Sequence, residues 1–241
     1  MNTLFASVPL SFFSDLGQQF YDDFILKDRY QYIIRGLGNT VLLTLVAVVI
    51  GVVLGTVVAL VRITHQNNPK KLRVLNGICG LYLTVIRGTP VVVQLMIMVY
   101  LILSSGETLL VAMLAFGINS GAYVAEVIRS GIQSVDHGQI EAGRSLGLSN
   151  RTTMIKIVFP QALKNVAPAI FNEFIALLKE TSIAGYVGVQ DLTKGGDIIR
   201  SITYDAFLPL FLIAGIYLVL VILLTSCLSG LERRLRKSDK R

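Results

Sequence analysis

The sequence has no tryptophan, two cysteines, two histidines and few charged residues. Charged residues make up 15% of its 241 positions, whereas 53% are apolar, and soluble domains typically carry about 25% charged residues. Cys79 and Cys227 lie far apart in apolar segments, which argues against a disulfide framework. His65 and His137 stand alone in polar stretches, so no group of side chains has metal-ligand spacing. The composition predicts an all-α integral membrane protein without a metal site.

The phosphate-binding motif of ATPases is also missing. The sequence contains no Gly-x-x-x-x-Gly-Lys-[Ser/Thr], so we expect no ATP hydrolysis by this chain itself. A membrane enzyme would need a compact acid–base or metal constellation at bilayer depth. The net charge of +7 would suit a nucleic-acid binder, but the basic residues gather in short loops without aromatic platforms. The sequence therefore predicts no nucleic-acid partner.

Five apolar segments are long enough to cross the roughly 30 Å hydrocarbon layer. They lie at 38–61, 75–103, 109–128, 163–187 and 206–228. The fourth is the least obvious because Glu173, Lys179 and Glu180 fall within it. The second is interrupted by a polar break made of Arg87, Gly88, Thr89 and Pro90. The sequence leaves open whether that region is one kinked helix or two pieces.

The basic residues divide unequally between the two sets of loops. Segments 62–73, 130–162 and 231–241 hold 13 basic residues, whereas 1–37, 104–107 and 188–205 hold five basic and eight acidic ones. Because cytoplasmic loops are enriched in Lys and Arg, we predict an external N-terminus and a cytoplasmic C-terminus. Residues 1–35 are then an extracytoplasmic lead-in, and 231–241 form a basic cytoplasmic tail.

Two local patterns suggest helix packing. In the lead-in, aromatic and apolar residues recur every three or four positions, which suits either an interfacial helix or a simple extramembrane segment; they are Phe13, Leu16, Phe20 and Phe24. Gly-x-x-x-Gly pairs occur in the first and third spans, at Gly51 and Gly55 and at Gly117 and Gly121. Such pairs allow helix backbones to approach closely in lipid.

The polar segment 131–162 is long for a connection between packed helices. Apolar residues at helical spacing predict two short helices along the inner membrane face. We expect Gly147 to end the first, Ser149 to cap the second and Pro160 to mark the turn into the next span. The residues alone fit either a docking surface for a soluble partner or an ordinary amphipathic loop.

Three stretches of the chain resemble one family. "EAGRSLGLSNRTTMIKIVFP" (141–160) is similar to the EAA loop of permease subunits of bacterial ATP-binding-cassette importers, with Gly143 and Phe159 as mild departures. "RGTPVVVQL" (87–95) and "LLKETSIAGYVGVQDLTKGG" (177–196) resemble segments of its polar amino acid branch. The resemblance implies a type I ABC importer permease fold over residues 36–230, in the bacterial inner membrane.

The resemblance also implies partners. These are a second permease copy or paralogue, two cytoplasmic ATPase subunits, an extracytoplasmic solute-binding protein, a polar amino acid substrate and the surrounding membrane lipid. ATP and magnesium would be bound by the ATPase, with no cofactor in this chain. The loop would couple to the ATPase, with Ala142 packing beneath the contact. The residues carried over to it are Glu141, Ala142, Gly143, Arg144, Ser145 and Gly147.

Polar residues within the spans are candidates for a substrate pathway. Glu173 and Glu180 are two helical turns apart and could receive an ammonium group. The full set is Gln94, Asn119, Ser120, Glu173, Lys179, Glu180 and Thr181. Each could instead make an interhelical contact. We interpret Glu126 and Arg129 as ion-pair partners near the inner end of the third span, and Arg87 as capping freed carbonyls or reaching inward.

Two other functions remain open from the residues. A passive channel or sensor subunit would work without an ATPase, and a membrane-embedded lipid-modifying enzyme would need a catalytic constellation. A channel has no need of the long polar loop, which favours the transport subunit.

Overall fold

The structure is a computed structural model that describes the backbone of residues 10–237 and the side chains of residues 15–235. The described backbone is helical and contains no strand. The helices are α1 (Leu10–Phe20), α2 (Tyr30–Asn67), α3 (Arg73–Gly88), α4 (Val91–Ile97), α5 (Thr108–Gln133), α6 (His137–Ser145), α7 (Asn150–Thr153), α8 (Phe159–Glu180), α9 (Leu192–Thr203) and α10 (Phe207–Lys237). Wider helical turns occupy Tyr21–Ile25, Met98–Ile102 and Met154–Val158, and a tighter one occupies Thr181–Val187.

Three of the described helices are long and apolar enough to cross a membrane: Tyr30–Asn67, Thr108–Gln133 and Phe207–Leu235. The α3–α4 pair adds a fourth if it is counted as one bent span, and α8 is not among them. The first, third and fifth predicted spans are therefore confirmed as apolar helices. The five-span count and the orientation of the termini stay predictions.

The centre of the fold is the contact between α2 and α5, where glycines face each other. A Cβ at Gly51 would lie 2.7 Å from the Ser120 hydroxyl oxygen, and one at Gly55 would lie 2.8 Å from the carbonyl oxygen of Gly121. Only glycine permits such close backbone approach. The packing role predicted for the glycine pairs is confirmed.

The second apolar region is two helices rather than one. α3 and α4 meet at an angle of 110° at the break between them. Thr89 is extended, with φ −122° and ψ 148°, and Pro90 has no N–H to continue the helix. The polar break read from the sequence is therefore a sharp corner.

The helix entering the fourth predicted span starts earlier than expected. The backbone stays helical from Asn150 through Glu180, so the turn predicted at Pro160 is wrong. Pro160 lies in the first turn of α8, directly after the wide turn Met154–Val158. The wide turn before it is the irregularity at which the helical path accommodates a residue without an N–H.

The lead-in folds onto the rest of the chain. Phe24, 1% exposed, packs with Ile33, Leu192 and Ile199, whereas Phe20 is 40% exposed. The helical spacing is confirmed by α1, and its place at a membrane surface stays a prediction. Residues 1–9, the Phe13 side chain and the last part of the tail, 238–241, lie outside the described residues.

Candidate functional site

The α6 segment connects α5 to α7, and local contacts define both of its ends. The Asp136 carboxylate accepts the Gly138 N–H at 2.9 Å and caps its start. Gly147, with φ +76°, ends it in the left-handed conformation. Ser149 then caps α7 by accepting the Thr152 N–H at 3.2 Å. The roles predicted for Gly147 and Ser149 are confirmed.

The packing beneath α6 comes from Gly143 rather than Ala142. A Cβ at Gly143 would lie 2.8 Å from Cγ2 and 2.9 Å from Oγ1 of Thr153. Thr153 is fully buried, whereas Ala142 is exposed. The expectation that Ala142 packs beneath was wrong, because the rotation of α6 against α7 turns that side chain outward.

One face of α6 is open to solvent. Glu141, Ala142, Arg144 and Ser145 are exposed, and Leu146 is 79% exposed. Ser145 donates to the Glu141 carbonyl at 3.0 Å. Leu146 belongs to the amphipathic pattern of 131–162, but it lies outside the packed face. Leu146 directly precedes Gly147, which ends α6, and this position at the helix end was the sequence signal for an outward-pointing side chain.

The corner between α3 and α4 is closed by Gln94. Its amide nitrogen donates to the carbonyl of Ile86 at 2.7 Å and to the hydroxyl of Thr89 at 2.8 Å. Its amide oxygen accepts from Asn119 at 3.0 Å. Gln94 and Asn119, two substrate candidates, therefore bind each other and the helix break.

The other substrate candidates do not converge on one place. Ser120 is fully buried, and its hydroxyl has no hydrogen-bond partner among the described residues. The half-buried Glu173 carboxyl lies within interaction range of that hydroxyl. Lys179 and Glu180 are exposed, and the Thr181 hydroxyl donates to the Leu178 carbonyl at 2.8 Å. Ser120 on α5 and Glu173 on α8 are thus two substrate candidates that lie near each other on neighbouring helices.

A polar cavity of about 610 Å³ opens between α2, α3 and α5. Glu126 accepts two hydrogen bonds from Arg129 and lies 4.0 Å from an Arg87 nitrogen, so the predicted Glu126–Arg129 ion pair is confirmed. The Arg87 guanidinium lies 5.6 Å from the ring centre of Tyr123, instead of capping carbonyls. The lining residues are Arg62, Gly80, Leu83, Thr84, Arg87, Gly88, Tyr123 and Glu126.

Sequence reasoning missed Arg62, Thr84 and Tyr123 as members of this cavity. Tyr123 is three residues before Glu126, which places both on one face of α5. Arg62 and Thr84 come from different helices, and only the packed fold brings them together.

The segment after α8 is fastened to α2. Thr40 accepts the Leu192 N–H at 2.9 Å, and Asn39 donates to the Gln190 carbonyl at 2.8 Å. Asp191 is fully buried and accepts the Lys194 N–H at 2.9 Å. Burial raises the pKa of Asp191 to about 6. On the surface nearby, Arg200 and then Lys194 lower the pKa of Asp197.

The chain is similar to known transport proteins over nearly its whole length. It is 37% identical over 212 residues to the arginine transport system permease protein ArtQ of Bacillus subtilis, covering 86% of this chain and 94% of the relative. It is 36% identical over 208 residues to the putative glutamine transport system permease protein GlnP of Rickettsia bellii, covering 85% and 93%.

A crystal structure of an amino acid ABC transporter with histidines matches with a TM-score of 0.79 and 39% identity, covering 94% of this chain and 99% of that one. Residues 51–237 match the model of the binding-protein-dependent transport system inner membrane component. The chain therefore belongs to the family of inner membrane components of binding-protein-dependent transport systems.

Proposed function

We propose that this chain is the permease subunit of an ATP-driven importer of polar amino acids in the bacterial inner membrane. Relatives named for arginine and glutamine transport support that substrate class. A cytoplasmic ATPase pair would hydrolyse ATP, an extracytoplasmic binding protein would deliver the substrate, and two permease chains would enclose the pathway. In this proposal five segments span the membrane, with the N-terminus outside and the C-terminus in the cytoplasm.

The observation that carries the proposal is the exposed face of α6 on a firmly packed support. Leu146 is 79% exposed and has no apolar cover within the described chain, so burial of this side chain by a partner would contribute favourably to docking. Gly143 against Thr153 fixes the position of α6. We assign ATPase coupling to Glu141, Ala142, Gly143, Arg144, Ser145 and Gly147, with Leu146 added.

The link from α6 to the membrane helices is short and continuous. α7, the turn Met154–Val158 and α8 form one helical path. Val158 and Ala162 on that path pack with Val135 at the end of α5. A displacement of α6 would therefore move α8 and α5 together instead of being absorbed by a loose loop.

The cavity beside Arg87 has the chemistry to hold an amino acid backbone. Arg87 is 43% exposed at its side chain and offers guanidinium N–H groups to a carboxylate, while Glu126 offers an acceptor to an ammonium group. Tyr123 adds an aromatic wall. Ser120 and Glu173 stay a second candidate point on the pathway, whereas Gln94 and Asn119 are proposed to hold the helix break.

The proposal is tested by uptake of labelled amino acids into proteoliposomes that contain this chain, its ATPase and its binding protein. We expect ATP-dependent accumulation of a polar amino acid. Flux that is indifferent to ATP would instead identify a channel, and absence of a complex with the ATPase would overturn the coupling assignment.

The cavity assignment has its own matched variants. Arg87→Gln should lower uptake while leaving the ATPase bound, because it removes the carboxylate ligand. Arg73→Gln, an exposed arginine outside the cavity, is the control for loss of one positive charge. Equal uptake by the two variants would remove Arg87 from the pathway.

A further inference from the structure

A second cavity, of about 330 Å³, lies near the α6 end of the molecule and is lined only by apolar side chains. α2 contributes Leu60 and Ile63, α5 contributes Ile132, and the helical path 154–159 contributes four apolar residues. We call this space the apolar groove. It shares none of its lining residues with the polar cavity beside Arg87, so it has no part in the proposed substrate pathway.

The apolar groove is open at its sides. Leu60 is 56% exposed, Ile155 is 56% exposed and Phe159 is 57% exposed. Large apolar side chains that stay this exposed around a concave surface mark a site that another molecule covers. The described part of the chain supplies no segment that does so.

The groove lies at the level where the apolar parts of α2 and α5 end. Leu60 and Ile63 flank Arg62, the first charged residue of α2 after Arg35. Ile132 follows Arg129 on α5, and Gln133 beside it donates to Gln66 of α2 at 3.2 Å. The walls therefore cross the boundary between the hydrocarbon layer and the headgroup region. A single lipid at this level has its acyl chain on one side of the boundary and its phosphate on the other.

Charge at the polar end of the groove favours an anionic ligand. Arg151 precedes Met154 and Ile155 by three and four residues on one helical path, which places it on the groove-lining face, one turn toward the polar end. Arg151 is exposed and forms no ion pair among the described residues. The stretch 150–172 contains three basic residues and no acidic residue.

We propose that the apolar groove binds an acyl chain of an anionic phospholipid, with its phosphate held by Arg151. Guanidinium N–H groups bind phosphate oxygens in a paired geometry, and hydrocarbon fills a space that offers no hydrogen-bonding group. The lipid would fill the gap between α2 and the helical path that leads to α6. Its occupancy would thus support the segment proposed to couple to the ATPase, but lipid binding itself does not depend on that function.

The absence of tryptophan from the sequence makes a direct test possible. Phe159→Trp places a single fluorophore on the groove wall with a conservative aromatic exchange. Phe211→Trp makes the same exchange on α10, where Phe211 is 65% exposed and outside the groove. This chain alone, without its partner proteins, is reconstituted in phosphatidylcholine vesicles with a small fraction of brominated phosphatidylglycerol or brominated phosphatidylcholine, and quenching gives the relative affinity of each lipid.

For Phe159→Trp we expect phosphatidylglycerol to be preferred by about tenfold, the effect of one charge-assisted contact. Adding Arg151→Gln should abolish the preference, whereas adding Arg234→Gln, an exposed arginine on α10, should retain it. Phe211→Trp should show no comparable preference. Three results would each overturn the proposal. The tryptophan at position 159 could be quenched equally by both lipids, it could be quenched by neither, or the preference for phosphatidylglycerol could survive Arg151→Gln.

Discussion

Gly143 of α6 packs so closely on Thr153 of α7 that a side chain at position 143 requires the Thr153 side chain or one of the two helices to move. A Cβ there would lie 2.8 Å from Cγ2 and 2.9 Å from Oγ1 of Thr153, closer than carbon and oxygen atoms pack without strain. This contact sets the angle at which the exposed α6 face is presented. Because Gly143 is buried beneath the exposed α6 face, its substitution tests the coupling assignment without changing an exposed side chain.

The first prediction follows from this contact. Gly143→Ala should lower ATP-dependent uptake because the new methyl group pushes α6 off its support. Thr153→Ala in the same chain removes both clashing atoms and should restore most of the uptake. Uptake per assembled complex, measured in proteoliposomes, checks both. A double variant as defective as Gly143→Ala would show that the contact does not act through Thr153.

The α2–α5 contact gives a prediction about stability. Gly55→Ala should lower the stability of the folded chain by about 1–3 kcal/mol, the usual effect of overpacking, because its Cβ would meet the Gly121 carbonyl oxygen at 2.8 Å. Gly38→Ala is the control, since it lies on the same helix with no atom near its Cβ position. Denaturant unfolding of the detergent-solubilised chain measures the difference. Equal stability of the two variants would contradict the packing account.

Buried Asp191 predicts a dependence of stability on pH. Its folded pKa is about 6, raised from 3.8 by burial, so the folded state holds the proton more tightly than the unfolded state. The free energy of unfolding should therefore fall as pH rises from about 4 to about 6, and Asp191→Asn should remove this fall. At neutral pH the variant should be more stable by roughly 2–3 kcal/mol, because Asn keeps the capping oxygen without the buried charge.

Asp197 provides the opposite case, within the helix whose first turn Asp191 caps. Arg200 and Lys194 lower its pKa, so its contribution to stability is present at neutral pH and is lost as pH falls through the lowered value. Asp197→Asn should therefore reduce the loss of unfolding free energy that occurs as pH falls through this lowered pKa, and should leave the pH dependence at higher pH unchanged. An identical pH profile for the two asparagine variants would contradict both assignments.

Gln94 is expected to hold the corner between α3 and α4. Gln94→Leu removes its bonds to Ile86, Thr89 and Asn119 and leaves buried Asn119 without that partner. The loss should lower stability by about 1–3 kcal/mol. Thr84→Val, which removes one exposed bond to the Gly80 carbonyl, is the control. A larger effect of Thr84→Val in denaturant unfolding would return Gln94 to the substrate candidates.

Local sequence patterns predicted the local structure well. Apolar runs located α2, α5 and α10, and Gly147 and Ser149 located the joint between α6 and α7, because these signals depend only on neighbouring residues. The Glu126–Arg129 pair, predicted near the inner end of the third span, lies within one helix at a spacing of three. In each case backbone geometry alone brings the residues together.

The contacts between residues far apart in sequence, and the rotation of α6, could be identified only from the packed fold. Gln94 meets Asn119 across 25 positions, and Arg87 reaches Glu126 because α3 packs against α5. The choice between Ala142 and Gly143 as the packed residue depended on how α6 is rotated against Thr153. Helix rotation and bend angle are set by tertiary contacts, which a single sequence does not display.

The most direct test of the central claim is simultaneous measurement of ATP hydrolysis and amino acid uptake by Leu146→Asp in the reconstituted transporter. Leu146 is 79% exposed, so the chain should fold, and Leu146→Met should behave as the unmodified protein. We expect Leu146→Asp to weaken ATPase binding by tenfold or more, since burying a leucine contributes about 1.5–3 kcal/mol, and to lose uptake in proportion. Uptake at the unmodified rate with full ATPase binding would contradict the assignment of α6 as the coupling surface.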